Sequence, residues 1–398
     1  MKIASVKAFA VKLPRDLMRA TGTAGSPVRL KNRTTEDVAI DASSSYLWAE
    51  SYRTLYSTKI ETTFVRVETD AGIIGWGEAQ SPVAPEITAT AINRLLASII
   101  TGDDALAPEQ AWSKMYAAMR VRGHTGGFLL DAIAGIDIAL WDICGKTYNQ
   151  PVCRLLGASP AAPLPCYISG LAGASDEEKL SYARQHVEAG ARSFKLFLDN
   201  SEDNCLRLLD ALREAFDMQV ALYVDALWRL TPKSALSFAG ELAKRKVGWL
   251  EAPLMPEDVA GHAKLTAHAE IPIAIGESYR TRFEMLPFFQ SGALDILQPD
   301  IGRSGLTEGR KLAALSETFH VPLAPHISIG LGPQIAAALH FGAACGNLLV
   351  MECNPKVYEA ANVFLKNPIE FNFASLAVPT APGLGLEIDE AKLFEFVT

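Results

Sequence analysis

Between about residues 164 and 352, short apolar runs alternate with longer segments in which apolar residues recur every three or four positions. The short runs are typical of buried strands and the longer segments of amphipathic helices. The pattern predicts eight strands, at 165–170, 193–198, 219–225, 247–252, 272–276, 294–298, 321–325 and 347–352. It predicts seven helices between them, at about 176–190, 202–216, 232–245, 257–269, 281–290, 305–319 and 331–342.

Strict alternation of strands and helices predicts a parallel sheet, because each helix carries the chain back to the start of the next strand. Eight strands with seven helices favour a closed barrel of the (β/α)7β type, in the α/β class. The alternative is an open doubly wound sheet, which normally carries a glycine-rich fingerprint after its first strand. The first predicted strand of this region is followed by no such fingerprint, so we expect a modified TIM barrel.

A different pattern precedes the barrel. Predicted strands at 1–15 and 62–70, and helical segments within 84–149, indicate an α+β domain over residues 1–150. The segment PVCRLLGASPAAPLP, rich in proline and alanine, marks the start of the predicted barrel domain, 151–352. Residues 353–398 leave the barrel, and we expect them to return to the first domain.

A long polar and aromatic insertion, from about residue 14 to residue 59, separates the first two strands. It includes Arg19, Arg29, Arg33, Tyr46, Trp48, Tyr52 and Arg53. A segment of this length inside a compact domain is usually functional or disordered. Its aromatic residues favour a lid, and a surface embellishment or a subunit contact is the alternative.

The composition excludes several kinds of partner. The chain has 398 residues, 49% of them hydrophobic, and can bury a large core. A net charge of −8 argues against nucleic acid or an anionic membrane surface. The six cysteines contain no CxxC pair, which favours reduced, buried thiols in a cytoplasmic protein. We find no signal-peptide pattern and no apolar run long enough to cross a bilayer.

Seven of the predicted strands end in one ionisable residue. These residues are Lys195, Asp225, Glu251, Glu277, Asp300, His326 and Glu352, at intervals of 30, 26, 26, 23, 26 and 26 residues. A charged residue at the end of a buried strand is costly unless it has partners. Because active sites of barrels form at the C-terminal ends of the strands, we expect these seven side chains, called the strand-end residues below, to converge.

Three of the strand-end residues are carboxylates on successive strands: Asp225, Glu251 and Glu277. Held together, they repel one another and need a cation. Oxygen donors suit Mg²⁺, and zinc is disfavoured because the trio contains no cysteine or histidine. A helix cap or a lysine partner would explain any one of the three, but the shared register favours a metal site.

The next pair is Asp300 and His326, on adjacent predicted strands. A carboxylate beside a histidine fixes the tautomer and raises the basicity of the ring, so the pair predicts a general base. A satisfied core histidine is the alternative.

Lys195, in the apolar run SFKLFL, is predicted to be a buried cation that binds or polarises a carboxylate. Glu352 would donate a hydrogen bond to a developing oxyanion if its pKa were raised.

Together these residues resemble those of the enolase superfamily, and within it the mandelate racemase subgroup. The resemblance covers nearly the whole chain, including the GIDIALWD helix and the returning tail. It implies a capping domain, Mg²⁺ bound by the three successive carboxylates, a His-Asp dyad formed by His326 and Asp300, and an oxyanion-side role for Glu352. An enediolate stabilised by Mg²⁺ is a general property of this superfamily, not a deduction from this chain. Relatives are often dimers or octamers, so the resemblance also implies a homo-oligomer.

Two positions depart from the family pattern. Racemases of this subgroup carry Lys-x-Lys on the second barrel strand, where this chain reads KLF, with Phe197 in the second position. A phenyl ring cannot exchange a proton, and racemisation needs a base on each face of the substrate. Two residues after Asp225, Leu227 replaces the asparagine of many relatives. One polar contact is thereby lost, and Trp228 is expected to line the pocket instead.

We therefore predict an Mg²⁺-dependent hydro-lyase, an aldonate or aldarate dehydratase acting on a small sugar acid. His326 would remove the α-proton and then protonate the departing β-hydroxyl, giving syn elimination to a 2-keto-3-deoxy acid. One acid/base suffices for this reaction, so Phe197 does not impair it. The alternative is a cycloisomerase, racemase or epimerase acting on another carboxylate, and a non-catalytic carboxylate-binding protein is less favoured. Predicted substrate contacts are Trp228, Arg303, Tyr46 and Trp48.

Overall fold

The computed structural model describes residues 1–14, 45–49, 53–198 and 201–398. Most of the predicted insertion, including Arg19, Arg29, Arg33 and Tyr52, lies outside the described residues, so its role as a lid stays a prediction. An α+β layer packs on a curled parallel sheet, which confirms the predicted fold class. We call the described residues up to 150 the cap.

The cap is built on a three-stranded antiparallel sheet. Its strands and those of a neighbouring hairpin are β1 (Ile3–Pro14), β2 (Tyr46–Ala49), β3 (Thr54–Ser57), β4 (Lys59–Thr69) and β5 (Ile74–Ala79). The sheet order is β1-β4-β5, with Phe9 opposite Phe64, and β2 pairs only with β3 among the described strands. Buried and exposed residues alternate along much of β1, as expected for a strand with one face on a core.

Helices pack against this sheet. They are α1 (Pro85–Ala91), α2 (Ala97–Ile100), α3 (Pro108–Arg120) and α4 (Phe128–Thr147), with a π-helical stretch, Ile92–Leu96, between α1 and α2. The GIDIALWD segment lies in α4, which is buried along most of its length. A Cβ on Gly77 would lie 2.0 Å from the backbone oxygen of Gly135. Glycine therefore permits the close approach of β5 to α4.

The barrel strands are β6 (Leu164–Ser169), β7 (Ser193–Phe197), β8 (Ala221–Asp225), β9 (Leu250–Glu251), β10 (Ile273–Ile275), β11 (Ile296–Leu297) and β12 (Met351–Cys353). They pair in the order β11-β10-β9-β8-β7-β6-β12. The strand predicted at 321–325 is reduced to single bridges, in which Leu323 pairs with Leu297 on one side and Leu348 on the other. Pro322 and Pro325 have no N–H to donate, so a continuous ladder cannot form there.

The seven predicted helices of the barrel lie close to their expected positions, and a short helix that was not predicted precedes them. They are α5 (Val152–Leu155), α6 (Asp176–Glu188), α7 (Glu202–Phe216), α8 (Pro232–Lys244), α9 (Val259–His268), α10 (Arg282–Ser291), α11 (Ile301–Thr318) and α12 (Pro333–Ala344), with a 3₁₀ turn at Asp217–Gln219. Within α11, Gly305 has a non-helical backbone (φ 70°, ψ 176°), so a separate first turn from Ile301 precedes the helix predicted from about residue 305. The Asp300 side chain caps this first turn by accepting a hydrogen bond from the N–H of Gly302.

Aromatic rings fill the barrel below the strand ends. Tyr223 and Trp249 stack with ring centroids 3.5 Å apart, and Tyr167 meets Trp249 edge-on at 5.5 Å. Tyr167 and Trp249 are almost fully buried. These side chains form a rigid apolar floor under the site.

The tail returns to the cap, as predicted. It contains α13 (Pro355–Asn362), β13 (Ser375–Leu376) and α14 (Glu390–Phe394). Val397 bridges Val11 of β1, and the N–H of Leu384 donates to Asp142 of α4. Near the end of the tail, Ile388 forms a single antiparallel bridge with Leu365. The domain limits 1–150, 151–352 and 353–398 stay predictions.

The six cysteines are free thiols, five of them buried. Within the described ranges, no helix combines the length and the apolarity needed to cross a bilayer. A cytoplasmic location and assembly into a dimer or an octamer stay predictions.

Candidate active site

The structure joins all seven strand-end residues in one network of charges at the C-terminal end of the barrel. Lys195 lies in β7, Asp225 and Glu251 end β8 and β9, and Glu277 follows β10. Asp300 is the N-cap of α11, its bridge partner is His326, and Glu352 lies in β12. All except His326 are nearly fully buried. Two positive groups, Lys195 and His326, hold the network together.

The Lys195 ammonium group lies among three carboxylates. Its Nζ is 2.5 Å from Glu251 Oε1, 3.1 Å from Glu352 Oε1 and 3.7 Å from Asp225 Oδ2. Burial alone would lower the pKa of Lys195, but the charges of Glu251 and Glu352 raise it well above its ordinary value. Lys195 is therefore buried in a setting that favours its charged form, and its predicted action on a substrate carboxylate stays a prediction.

Both oxygens of Glu251 are occupied. Oε1 binds Lys195, and Oε2 accepts hydrogen bonds from Trp249 Nε1 at 3.1 Å and Gln298 Nε2 at 2.7 Å. Gln298 also belongs to the site, although the sequence pattern did not predict it. It lies two residues before Asp300, so strand alternation could have placed both side chains on one face.

His326 is held between two carboxylates. Its Nδ1 is 2.8 Å from Asp300 Oδ2, and its Nε2 is 2.8 Å from Glu277 Oε2. Burial lowers the pKa of His326, but the charges of Glu277 and Glu352 outweigh this effect and raise it well above its ordinary value. Each ring nitrogen faces a carboxylate oxygen, an arrangement that favours the protonated, doubly donating ring. The Asp300 contact is the one predicted for a general base, and the Glu277 contact was not predicted.

Glu352 differs from the expectation of a raised pKa. Burial raises the pKa of its carboxyl group, but the nearby charges of Lys195 and His326 lower it below its ordinary value. Its Oε2 also accepts a hydrogen bond of 2.7 Å from the N–H of Ile327. The lowered pKa favours the ionised carboxylate, so donation of a hydrogen bond to an oxyanion would require Glu352 to gain a proton first.

The carboxylate oxygens of the predicted metal site are suitable donors for a divalent cation. Five buried carboxylates of the described network face only two cationic side chains, so negative charge is in excess. Burial and the charge of Glu251 raise the pKa of Asp225 well above its ordinary value, which reflects that excess. Lys195 binds an oxygen of Glu251, and His326 binds an oxygen of Glu277. Within the described ranges, no three His, Cys, Asp or Glu side chains are arranged to coordinate one metal ion. Metal binding by the trio stays a prediction.

Phe197 lies beside Lys195 at the mouth of the barrel. The lysine Nζ is 5.6 Å from the centre of the ring, which is more than one-third exposed. Leu227 and Trp228 follow Asp225 with left-handed φ angles of 53° and 56°. That turn places Trp228 in the wall of a cavity that Glu277 and Tyr279 also line. Contact of Trp228 with a substrate stays a prediction.

Arg303 lies in the first turn of α11, between the barrel and the cap. Its Nη1 is 3.9 Å from Asp131 Oδ1, whereas Arg280 binds both oxygens of the same carboxylate at 3.0 and 3.1 Å. The buried Nε of Arg303 has no hydrogen-bond partner among the described residues. Its charge also helps to lower the pKa of Glu277. Arg303 is thus near the site and incompletely bound.

The other two predicted substrate contacts lie on the β2–β3 hairpin of the cap. The Tyr46 hydroxyl accepts hydrogen bonds from Lys12 Nζ and the N–H of Ala84 and donates to Glu61 Oε2, each at 3.1 Å. Trp48 faces Leu55 across the hairpin. Contact of Tyr46 and Trp48 with a substrate stays a prediction.

Comparison with known proteins agrees with this geometry. The family "Mandelate racemase / muconate lactonizing enzyme, N-terminal domain" matches residues 52–157, and "Enolase C-terminal domain-like" matches residues 179–392. The chain is 33% identical over 345 residues to D-galactarolactone cycloisomerase of Agrobacterium fabrum, which covers 83% of this chain and 90% of that protein.

Solved structures give the same result. An enolase superfamily member from Agrobacterium tumefaciens has a TM-score of 0.92 and 30% identity, covering 100% of this chain and 99% of that one. The 3,6-anhydro-D-galactonate cycloisomerase from Zobellia galactanivorans has a TM-score of 0.82 and 26% identity, with full coverage of both chains. Fold, strand-end residues and sequence similarity thus agree, and the chain is an enzyme of the enolase superfamily, in its mandelate racemase and muconate lactonizing enzyme group.

Proposed function

We propose that the chain is a cycloisomerase, which removes the proton α to the carboxylate of a cyclic sugar-acid derivative and expels a ring oxygen from the β-carbon. Two similar proteins are named as cycloisomerases, of D-galactarolactone and of 3,6-anhydro-D-galactonate. The observation that carries the proposal is the single His326–Asp300 pair, in a site where the second basic position is the ring of Phe197. This reading takes precedence over the dehydratase that the sequence favoured.

The reaction needs one acid/base. Neutral His326 takes the α-proton at Nε2, after exchanging its contact with Glu277 for the substrate, while Nδ1–H stays bound to Asp300. The carbon electron pair moves into the carboxylate to form an enediolate, and then forms the carbon–carbon double bond as the β C–O bond breaks. The proton on His326 goes to the expelled oxygen or to the β-carbon as the enol becomes a ketone. No atom leaves the molecule, so the product is an isomer.

Other residues of the site supply charge and exclude competing reactions. A bound Mg²⁺ would offset the charge of the substrate carboxylate, and the three successive carboxylates are the residues that would hold it. Lys195 adds a fixed positive charge between Glu251 and Glu352. Phe197 offers no proton acceptor on its side, which disfavours racemisation.

A dehydratase is the second candidate, and the same single acid/base favours it. His326 can return its proton to a β-hydroxyl group as easily as to a ring oxygen. The two reactions share the first step and differ in the leaving group. With a ring oxygen the product keeps the mass of the substrate, and with a hydroxyl group water departs.

Product mass and deuterium content test the proposal. The Mg²⁺-loaded protein is incubated in D₂O with lactones and anhydro forms of sugar acids, and separately with the open acids, and followed by ¹H NMR and mass spectrometry. We expect a 2-keto acid from a cyclic substrate with deuterium as the only change in mass. Loss of water from an open acid alone would support the dehydratase. Deuterium at the α-carbon without elimination would support an epimerase, and binding without turnover would support a carboxylate-binding protein.

Arg303→Met is expected to raise KM about 10- to 100-fold with a smaller effect on kcat, the range for one lost charge-assisted hydrogen bond. The incompletely bound guanidinium is suited to a polar or anionic group of the substrate. Steady-state kinetics measure the change in KM, with the substrate that the NMR and mass-spectrometry experiment identifies. Arg310→Met is the control, because Arg310 is exposed on the same helix and its guanidinium lies 5.9 Å from the Trp141 ring. An unchanged KM in Arg303→Met would remove Arg303 from substrate binding.

Asp225→Asn is expected to weaken Mg²⁺ binding at least about tenfold, since one charged oxygen donor is lost. The readout is the rise in melting temperature with Mg²⁺ concentration, because a ligand that binds only the native state stabilises it. Asp295→Asn is the control, because Asp295 precedes β11 at the opposite end of the barrel and accepts the N–H of Ile273. Equal Mg²⁺ responses in the two variants would argue against the predicted metal site.

A further inference from the structure

The carboxylate of Asp300 is held at both oxygens. Oδ2 faces His326 Nδ1 at 2.8 Å, while Oδ1 accepts hydrogen bonds from the N–H of Gly302 at 2.9 Å and from Gln334 Nε2 at 3.2 Å. Asp300 and Gln334 are at most 1% exposed, so water does not replace these donors. The direction of Oδ2, and with it the plane of the imidazole, therefore depends on the donors at Oδ1.

Both of these donors belong to segments that the cap holds. The N–H of Gln334 donates to Glu78 Oε2 at 3.1 Å, and the N–H of Leu331 donates to Glu78 Oε1 at 2.7 Å. The backbone oxygen of Gly302 accepts a hydrogen bond of 3.0 Å from the N–H of Gln80. Glu78 is in β5 and Gln80 follows it, so one cap strand anchors both segments that contact Asp300.

The contact between Gln334 and the Gly302 backbone leaves the Gln334 amide little room to move. A Cβ on Gly302 would lie 2.3 Å from Cδ of Gln334, so the amide packs directly on the Gly302 backbone. Glu78 is completely buried and also accepts a hydrogen bond of 2.8 Å from the Thr62 hydroxyl. Burial, with a smaller contribution from the Asp300 charge, raises the pKa of Glu78 to about 7.

We propose that Glu78 and Gln334 are positioning residues for the His326–Asp300 pair, through which the cap sets the orientation of the imidazole. The consequence for catalysis rests on the proposed function, because it takes His326 as the base. The chain of hydrogen bonds from β5 to the ring is independent of any substrate.

The test measures the imidazole directly. In protein labelled with ¹⁵N-histidine, the His326 Nδ1 proton is identified as the downfield signal absent from His326→Asn. Gln334→Met removes the side-chain donor to Asp300. Glu78→Gln replaces one of the two carboxylate oxygens that accept the N–H groups of Leu331 and Gln334. Both substitutions change the side-chain volume little. Asp137→Asn is the matched control, since Asp137 is also a buried cap carboxylate that accepts a barrel N–H, that of Thr307, at 2.9 Å.

We expect the signal to shift or broaden in Gln334→Met and Glu78→Gln and to stay in place in Asp137→Asn. With a substrate in hand, we expect kcat to fall about 10-fold or more in both variants, with KM nearly unchanged and the pH profile displaced. An unmoved signal in Gln334→Met, or an equal change in Asp137→Asn, would overturn the inference. If Glu78→Gln does not fold, Gln334→Met alone decides it. The signal is read without substrate, so absence of turnover in the native protein would count against the proposed function only.

Discussion

His326→Asn is expected to lower kcat by about 10³- to 10⁴-fold, near the upper range for a lost general base, because in the proposed reaction the same ring serves both proton transfers. Asparagine keeps a polar side chain in contact range of Asp300 but cannot take a proton from carbon. The measurement is the rate of product formation at saturating substrate, together with the Mg²⁺ dependence of the melting temperature. We expect Mg²⁺ binding to survive the substitution.

His186→Asn is the control for loss of a histidine away from the site. His186 lies on α6, and its Nδ1 contacts the backbone oxygen of Tyr182 at 2.8 Å. We expect nearly native kcat from this variant. Substantial activity in His326→Asn would remove His326 from the mechanism and leave the proposed elimination without a base.

The pH profile follows from the same contacts. The pKa of His326 is raised by Glu277 and Glu352, so the imidazolium predominates at low pH, whereas proton abstraction needs the neutral ring. We therefore expect kcat/KM to increase with pH as His326 loses its proton. A profile that falls with pH over the same range would mean that the protonated form is the active one.

Lys195→Met is expected to lower the free energy of unfolding by about 3–5 kcal/mol, the cost of removing one member of a buried ion pair. Lys195 is 1% exposed, and its loss leaves three carboxylates without their nearest cation. Denaturation with urea at neutral pH measures the change. The deficit should shrink as the pH falls, because protonation of the carboxylates removes the uncompensated charge.

Lys146→Met is the matched control. Lys146 binds Asp142 at 2.7 Å, but its side chain is 28% exposed, so water screens the pair and the loss should be much smaller. If Lys195→Met were no less stable than Lys146→Met, the strand-end carboxylates would not depend on Lys195 for charge compensation. Mg²⁺ should restore part of the stability of Lys195→Met, since it supplies the missing positive charge.

Sequence periodicity predicted the barrel and its strand-end residues because each βα unit repeats at a nearly constant length. It did not predict the loss of the strand at 321–325, although Pro322 and Pro325 carry the signal: proline cannot donate to a ladder. Gln298 could have been found from its position two residues before Asp300. Glu78 and Gln334 could not, because their link to Asp300 joins segments far apart in the chain.

The amino-acid sequence by itself determined which side chains stand at the strand ends, since one residue of each repeat reaches the same level of the barrel. Only the tertiary structure decided how those charges pair: Lys195 with Glu251 and Glu352, and His326 between Asp300 and Glu277. Pairing depends on distances across the barrel and on burial, which strengthens each contact and raises or lowers each pKa. Those distances arise only when the barrel closes and brings strands that are distant in the chain together, so local patterns cannot contain them.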